Sequence, residues 1–274
     1  MSIVLISSDS YEEGCDIVRK TAETLDYVYL GREILSLVAT RYDIPEGKLL
    51  KALEEPPSIF GMPAKVRRRY LAYIEEATLT RLLEDNVVCY GLAGHLYVLG
   101  VSHVLKVCLI SAREEKINMI SSRAGIPREK ARKLVSREEK RQRRWSLESF
   151  RLDEADPSLY DLVIRLSNID PDEVVKTITE TVGYRKFKPM TYSIKCLKDR
   201  ELAARVRAVV LARFSDVRVQ ADGDMVVVET RALKREEAKR VQAIEELAGS
   251  IPGVGHVEVH VISDIFRQAA ESFR

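Results

Sequence analysis

The sequence predicts an α/β protein: a parallel sheet with helices on both faces and a helical lid, followed by a small α+β domain of order αββαβ. Three observations carry this. Short β-branched runs alternate with helical periodicities through the first 185 residues, starting at Ile3, Val4, Leu5 and Ile6. A charge-rich helical stretch with few apolar positions, 113–151, interrupts that alternation. Beyond residue 190 the order becomes helix, strand, strand, helix, strand.

The first strand leads into a polar stretch from Ser7 to Gly14, and apolar residues return at helical spacing from Asp16, at Ile17, Val18, Ala22 and Leu25. Tyr27 to Leu30 reads as a second strand, and Gly31, Arg32 and Glu33 open the next helix. A small helix over 44–53 ends at Glu55, Pro56, Pro57 and Ser58. A long helix over 66–83 leads to a third strand, Val87 to Tyr90, and a turn at Gly91 to Gly94. Val104 to Ile110 is a fourth strand, and the segment from Asp156 to Ile164 gives a turn and a fifth. Pro171 sits in the first turn of a helix that reaches about Val182. Ligands of such sheets bind beyond the carboxyl ends of the strands, which here carry the segments 7–14, 31–33 and 91–95.

Tyr184 to Thr191 is a basic connector, and the boundary falls near residue 190, giving domains over 1–185 and 193–263 and a C-terminal helix within 264–274. In the second domain, helices over 199–214 and 234–248 present apolar stripes at 202, 206, 209 and 210 and at 238, 241, 244 and 247. Strands alternate valines at 217 and 219, at 226 and 228, and at 257, 259 and 261, with Asp222, Gly223 and Asp224 turning the first pair. The trailing helix, Ile265 to Phe273, places Phe266, Ala269, Ala270 and Phe273 on one side.

With 46% hydrophobic and 31% charged residues, 274 residues form a packed core rather than a disordered chain. The net charge of +2 names no partner and gives no reason to expect nucleic acid. No apolar run is long enough for a membrane span and no basic leader opens the chain, so a cytoplasmic protein is expected. Cys15, Cys89, Cys108 and Cys196 are widely spaced, which favours reduced thiols. No metal site is expected: His256 and His260, four apart on a strand, lie about 13 Å from each other along it.

The first strand, polar stretch and helix have the layout of a phosphate-binding machine, since a helix N-terminus favours an anion. The spelling is wrong for one. A working loop reads GxxxxGK[ST], whereas this stretch has one glycine, no lysine and three carboxylates, Asp9, Glu12 and Glu13. Between Arg123 and Arg151, eleven Lys and Arg face four Glu, a local excess of seven positive charges. A solvated face explains most of them. Arg141, Arg143 and Arg144 beside Trp145 offer guanidinium forks suited to phosphate. His95, after the glycine turn, either touches a ligand or is a hydrogen-bonded structural histidine.

Several separated stretches resemble the cytidylate-kinase-like branch of the P-loop nucleoside-monophosphate kinases. They are Ile6 to Ile17 with Ala22, Leu25 and Tyr27; Arg32, Glu33 and Ile34; Tyr90 to His95; Arg141 to Trp145; and Asp156 to Val163, the most specific. The resemblance implies that Arg141 and Arg144 are catalytic lid residues. It places Ser10, Gly14, Cys15, Asp16 and Arg143 at the nucleotide cofactor, and Arg32, Glu33, Gly91 and His95 at the substrate. It implies ATP and magnesium as cofactors if the chain is active, and none otherwise. The departures fall on the donor side. The family's glycine-rich turn is Tyr11, Glu12 and Glu13; its basic residue falls on Cys15; its magnesium-binding Ser/Thr falls on Asp16; and the arginine of its glycine–arginine–glycine turn is Leu92. Unpaired carboxylates facing a triphosphate cost a few kcal/mol each at an effective dielectric of about 20.

The last 75 or so residues resemble a BON domain, a small module of bacterial proteins. The resemblance rests on Leu202, Val206, Val217, Val219, Asp222, Gly223, Val226, Val228 and the run Ile251 to Val254. It implies binding to protein or lipid rather than chemistry; packing on the first domain or homodimerisation are the alternatives. The favoured function is a degraded kinase-like protein that binds a nucleotide or another phosphate-containing small molecule, or regulates, with little kinase activity. The alternative is an active CMP-type kinase using ATP. Weak ATP binding at the first loop is expected, with Arg32, Arg141 and Arg144 as the remaining anion site.

Overall fold

The computed structural model describes residues 2–9, 11–56 and 61–262. The chain divides into two compact units, 1–193 and 194–274. The trailing helix expected at 265–273 lies outside the described residues.

The first unit holds a five-stranded parallel sheet of order β2-β3-β1-β4-β5. Its strands are β1 (Ile3–Ser8), β2 (Val28–Leu30), β3 (Val87–Tyr90), β4 (Val104–Ile110) and β5 (Leu162–Arg165). The central strand β1 pairs Ile3 with both Val87 and Val104, so its apolar run is enclosed by neighbours. Parallel sheets are covered on both faces, which is why β1 and β3 read as continuous apolar runs rather than alternating ones.

One face presents Val4, Ile6, Val88, Tyr90, Leu105, Val107, Leu109 and Ile164 to helices α1 (Tyr11–Leu25) and α8 (Pro171–Val182). These helices answer with Ile17, Val18 and Ala22, and with Val174, Val175, Ile178 and Val182. Each fully buried aliphatic side chain contributes about 1.5–3 kcal/mol. Between β2 and β3 lie α2 (Ile34–Tyr42), α3 (Glu46–Glu54) and α4 (Ala64–Leu82), packed on one another. The short helix α5 (Gly94–Tyr97) follows β3.

The charge-rich stretch is a helical hairpin of α6 (Arg113–Ala124) and α7 (Arg128–Phe150). Gly125, at φ 61°, ends the first helix and Pro127 precedes the second. Its core is small: Ile117, Ala131 and Val135, with Ile120 and Ile126 against them.

Helix α9 (Thr191–Arg213) starts eight residues earlier than its apolar stripe predicts. The second unit continues with β6 (Val217–Asp222), β7 (Met225–Arg231), α10 (Glu237–Gly249) and β8 (His256–Ile262). β6 and β7 are antiparallel, with Asp222 opposite Met225 and Gly223 at φ 63° between them; β8 joins β7 in parallel after the α10 crossover. Val217, Val226 and Val228, with Leu202, Val206, Val210 and Ile244, are buried. Val257, Val259 and Val261 are half-buried.

Candidate functional site

Ligands of open parallel sheets bind beyond the carboxyl ends of the strands, and here the connection after β1 is short. β1 runs to Ser8 and α1 begins at Tyr11, so the polar stretch expected over 7–14 is mostly strand end and helix start. Glu12 and Glu13 lie within α1 rather than in a loop. Ser10 lies outside the described residues.

Asp9 carries the electrostatics of this end. Its backbone N–H donates to the Leu109 carbonyl at 3.2 Å. Its carboxylate accepts the Ser111 N–H at 3.0 and 3.2 Å and pairs with Lys116, whose side chain is 14% exposed. A main-chain N–H and an ammonium are the donors a phosphate oxygen would use, and here a carboxylate of the chain engages both.

Gly14 lies inside α1 and is buried. A Cβ there would come within 2.3 Å of the Tyr90 hydroxyl and 3.1 Å of Ser8 Cβ. The missing side chain lets α1 settle onto the sheet. Cys15 is half-buried and hydrogen-bonds Arg19, whose guanidinium lies 4.9 Å from the Tyr29 ring centre. Asp16 is exposed, near Lys20.

At the next strand end, the Gly31 N–H donates to Glu33 Oε1 at 2.7 Å, and Arg32 pairs with Glu54 of α3 at 2.7 Å. Gly91 takes φ 69° and donates its N–H to the Ile6 carbonyl at 3.4 Å. Leu92, where the family has an arginine, is fully buried and acts as core.

His95 is 3% exposed and engaged at both nitrogens. Ser7 Oγ lies 2.8 Å from Nδ1, and Tyr160 Oη lies 3.1 Å from Nε2 with the rings stacked. Tyr160 donates its hydroxyl hydrogen to the Glu154 carbonyl at 2.9 Å. The network is satisfied when Ser7 donates to Nδ1 and Nε2–H donates to Tyr160. Burial, reinforced by Lys106, pushes the imidazole down to about 4, so it is neutral at pH 7. Burial raises the Cys108 thiol to about 11 and, aided by Asp153 and against a hydrogen bond from Gln142, the Glu154 carboxyl to about 7.

The lid arginines lie along α7, each held by a carboxylate: Arg141 by Glu138, Arg143 by Asp153 at 2.7 Å, Arg144 by Glu148 at 2.7 Å. Trp145 fixes this helix, donating Nε1–H to the Ala52 carbonyl at 2.9 Å and meeting the Phe150 ring edge-on. Arg141 also feels Glu54 and Glu55, so it shares the end of α3 with Arg32. A cavity of about 380 Å³ is lined by Lys140, Arg143, Arg144, Leu147 and Glu148.

Arg67 joins this group. It is 3% exposed and donates from Nη1 to Ser149 Oγ at 2.8 Å and to the Glu55 carbonyl at 3.3 Å. Burial pulls its pKa down to about 10; Glu148 opposes the shift, and Arg68 and Arg144 add to it. Its burial is hidden in the sequence, where Arg67, Arg68 and Arg69 stand together as an ordinary charged run on a helix. The only signal was an arginine among apolar neighbours on that helix's buried side. Among the described residues no group of three His, Cys, Asp or Glu is placed to hold a metal ion.

A five-stranded parallel sheet of order 2-3-1-4-5, with a helical hairpin bearing arginines between its fourth and fifth strands, defines a kinase-type α/β protein. The chain belongs to the cytidylate kinase-like family, whose model matches residues 3–168. It is 29% identical over 171 residues to a cytidylate kinase of Methanopyrus kandleri, covering 61% of this chain and 85% of the relative. It is 28% identical over 115 residues to a cytidylate kinase of Thermoplasma volcanium, covering 42% of this chain and 60% of the relative. Among solved structures, an uncharacterized protein from Eubacterium ventriosum aligns with TM-score 0.48 and 16% identity, covering 68% of this chain and all of that one. A shikimate kinase from Bacteroides thetaiotaomicron aligns with TM-score 0.41 and 9% identity, covering 67% of this chain and 99% of that one.

Proposed function

We propose that this member of the cytidylate kinase-like family has a degraded phosphate-donor loop and binds a nucleotide or another anion, or regulates, with little kinase activity. The observation that carries this reading is the Asp9 carboxylate, which takes the Ser111 N–H and Lys116 at the end of β1. Phosphoryl transfer rests on positioning and charge neutralisation. The donor end carries Cys15 and Asp16 where the family has a basic residue and a magnesium-binding hydroxyl, so its side chains do not fit a magnesium triphosphate. Arg32, Arg141 and Arg144, expected as the remaining anion site, are each tied to a carboxylate, Glu54, Glu138 and Glu148, which counts against a ready-made anion site; a phosphate monoester would bind there only by displacing those acids.

The second reading is an active CMP-type kinase with ATP and magnesium as cofactors, favoured by the names of the two relatives. A coupled ADP-release assay with CMP, ATP and magnesium separates the two. Turnover in the usual kinase range of about 1–100 s⁻¹ assigns the second. Calorimetric binding of CMP without turnover assigns the first. A cytoplasmic location fits either; no helix of the described residues is long and apolar enough to cross a membrane. For the second unit we propose a BON-like role in binding protein or lipid, or in homodimerisation.

A further inference from the structure

Net charge hides an asymmetry on α7. Lys130, Lys133, Arg137, Lys140 and Arg144 follow each other at spacings of three and four, so they form one row along the helix. At 1.5 Å per residue the row is about 21 Å long. All five are exposed, on the side of α7 opposite Ala131 and Val135, which bury themselves against α6.

The carboxylates near α7 are spent on other cations. Glu114 holds Arg128 and Arg132, Glu139 holds Arg113, Glu138 holds Arg141, and Glu129 lies 3.6 Å from Arg132. Among the described residues, Lys130, Lys133, Arg137 and Lys140 have no ion pair; the row meets an acid only at its end, where Glu148 takes Arg144. Like charges three and four apart oppose helix formation, so the row is a repulsive arrangement that a polyanion would relieve.

We propose that this face of α7 binds the phosphate backbone of a nucleic acid without reading its bases. The row presents a cation about every 5 Å and no acid between its members, which matches a uniform polyanion. A protein surface would offer mixed charge. A membrane-surface helix needs a broad apolar face beside its basic one, and here only Leu134 and Leu147 stand exposed at the flanks. A single nucleotide is shorter than the row.

The test uses the full chain and a fluorescein-labelled single-stranded 20-mer of mixed sequence, read by anisotropy between about 50 and 200 mM salt. Four to five neutralised phosphates predict a slope of log K against log salt of about −3 for a single strand. Replacing Lys130, Lys133 and Arg137 by Gln, all solvent-exposed, should weaken binding at least about tenfold and reduce the slope by about two, with a circular dichroism melt no lower than that of the wild type, since like-charge repulsion is removed. Lys48→Gln with Lys239→Gln, which lie on α3 and α10 and not on α7, should do neither. The proposal is overturned if the 20-mer fails to bind at low salt, or if the triple variant binds as well as the wild type. It is also overturned if millimolar ATP displaces the strand, or if polyglutamate or phosphatidylserine vesicles bind more tightly than the oligonucleotide.

Discussion

Lys116 of α6 pairs with Asp9 at the carboxyl end of β1, and the Ser111 N–H donates to the same carboxylate at 3.0 Å. Both side chains are largely shielded, at 14% and 22% exposure. The pair ties the lid hairpin to the central strand across the end of the sheet where the family's phosphates would lie.

Asp9→Ala is therefore expected to lose stability and gain an anion. Loss of charge-assisted bonds costs about 1.5–3 kcal/mol, or a fall of roughly 3–10 °C in Tm for a unit of this size. With Ser111 N–H and Lys116 released, calorimetry should detect phosphate or ATP binding stronger than in the wild type. An unchanged melt, or a destabilised variant with no gain in anion affinity, counts against the carboxylate standing in for a phosphate.

Gly14→Ala should cost about 1–3 kcal/mol through overpacking, because the new methyl would meet the Tyr90 hydroxyl at 2.3 Å. Tyr90→Phe in the same chain removes that oxygen and should recover part of the loss. The ring carbon beneath, 2.9 Å from the new Cβ, prevents full recovery. If the two substitutions are simply additive in thermal melts, the contact is not the cause.

How far the sequence reaches is visible in these residues. The strands were legible because Ile3 to Ile6 and Val87 to Tyr90 are apolar runs too short for helices. The arginine-rich helix was legible because charge crowds a stretch with few apolar positions; that Trp145 anchors it through the Ala52 carbonyl, 93 residues away, was not. The start of α1 was not: the stretch from Ser7 to Gly14 reads as loop by polarity, while α1 begins at Tyr11. Nor was the His95 network, since Ser7 and Tyr160 are 88 and 65 residues away along the chain. Arg67 escaped because burial of a guanidinium against Ser149 is a tertiary event. For Arg32, Arg141 and Arg144 the sequence gives residue type but not the carboxylates Glu54, Glu138 and Glu148 that hold them.

His95 and Glu154 make opposing contributions to acid stability. The folded pKa of His95 is depressed to about 4 from 6.5. The unfolded chain thus binds the extra proton between those values, and stability falls as pH drops through that window. The full loss is on the order of 3 kcal/mol. Glu154 is raised to about 7 from 4.5, so the folded state keeps a proton that the unfolded state releases, and stability falls as pH rises from 4.5 to 7. In the overlap the two slopes offset each other. Glu154→Gln removes the second, and its stability should gain on the wild type from pH 5 to 7 and level off above that. A constant difference across that range would show that Glu154 ionises normally.

The second unit is expected to fold by itself. Its sheet closes on its own pattern: Val217, Val226 and Val228 are buried, and Leu202, Val206, Val210 and Ile244 supply buried helical positions within the same unit. The hairpin is set locally, with Gly223 at φ 63° in the turn and Lys195 bridging Asp199 and Asp222. The Gly223 N–H adds a bond to Asp199 at 2.9 Å, so α9 and the hairpin are stitched from within. Against this, a core of about 70 residues leaves a net stability of only a few kcal/mol. β8 contributes half-buried valines rather than buried ones. A fragment of residues 190–274 should therefore melt cooperatively but at modest temperature, with dispersed amide resonances. Ile244→Ala, at a fully buried position, should cost about 2–5 kcal/mol and unfold the fragment outright. A fragment that shows neither dispersion nor a cooperative melt would mean that the unit borrows its stability from the rest of the chain.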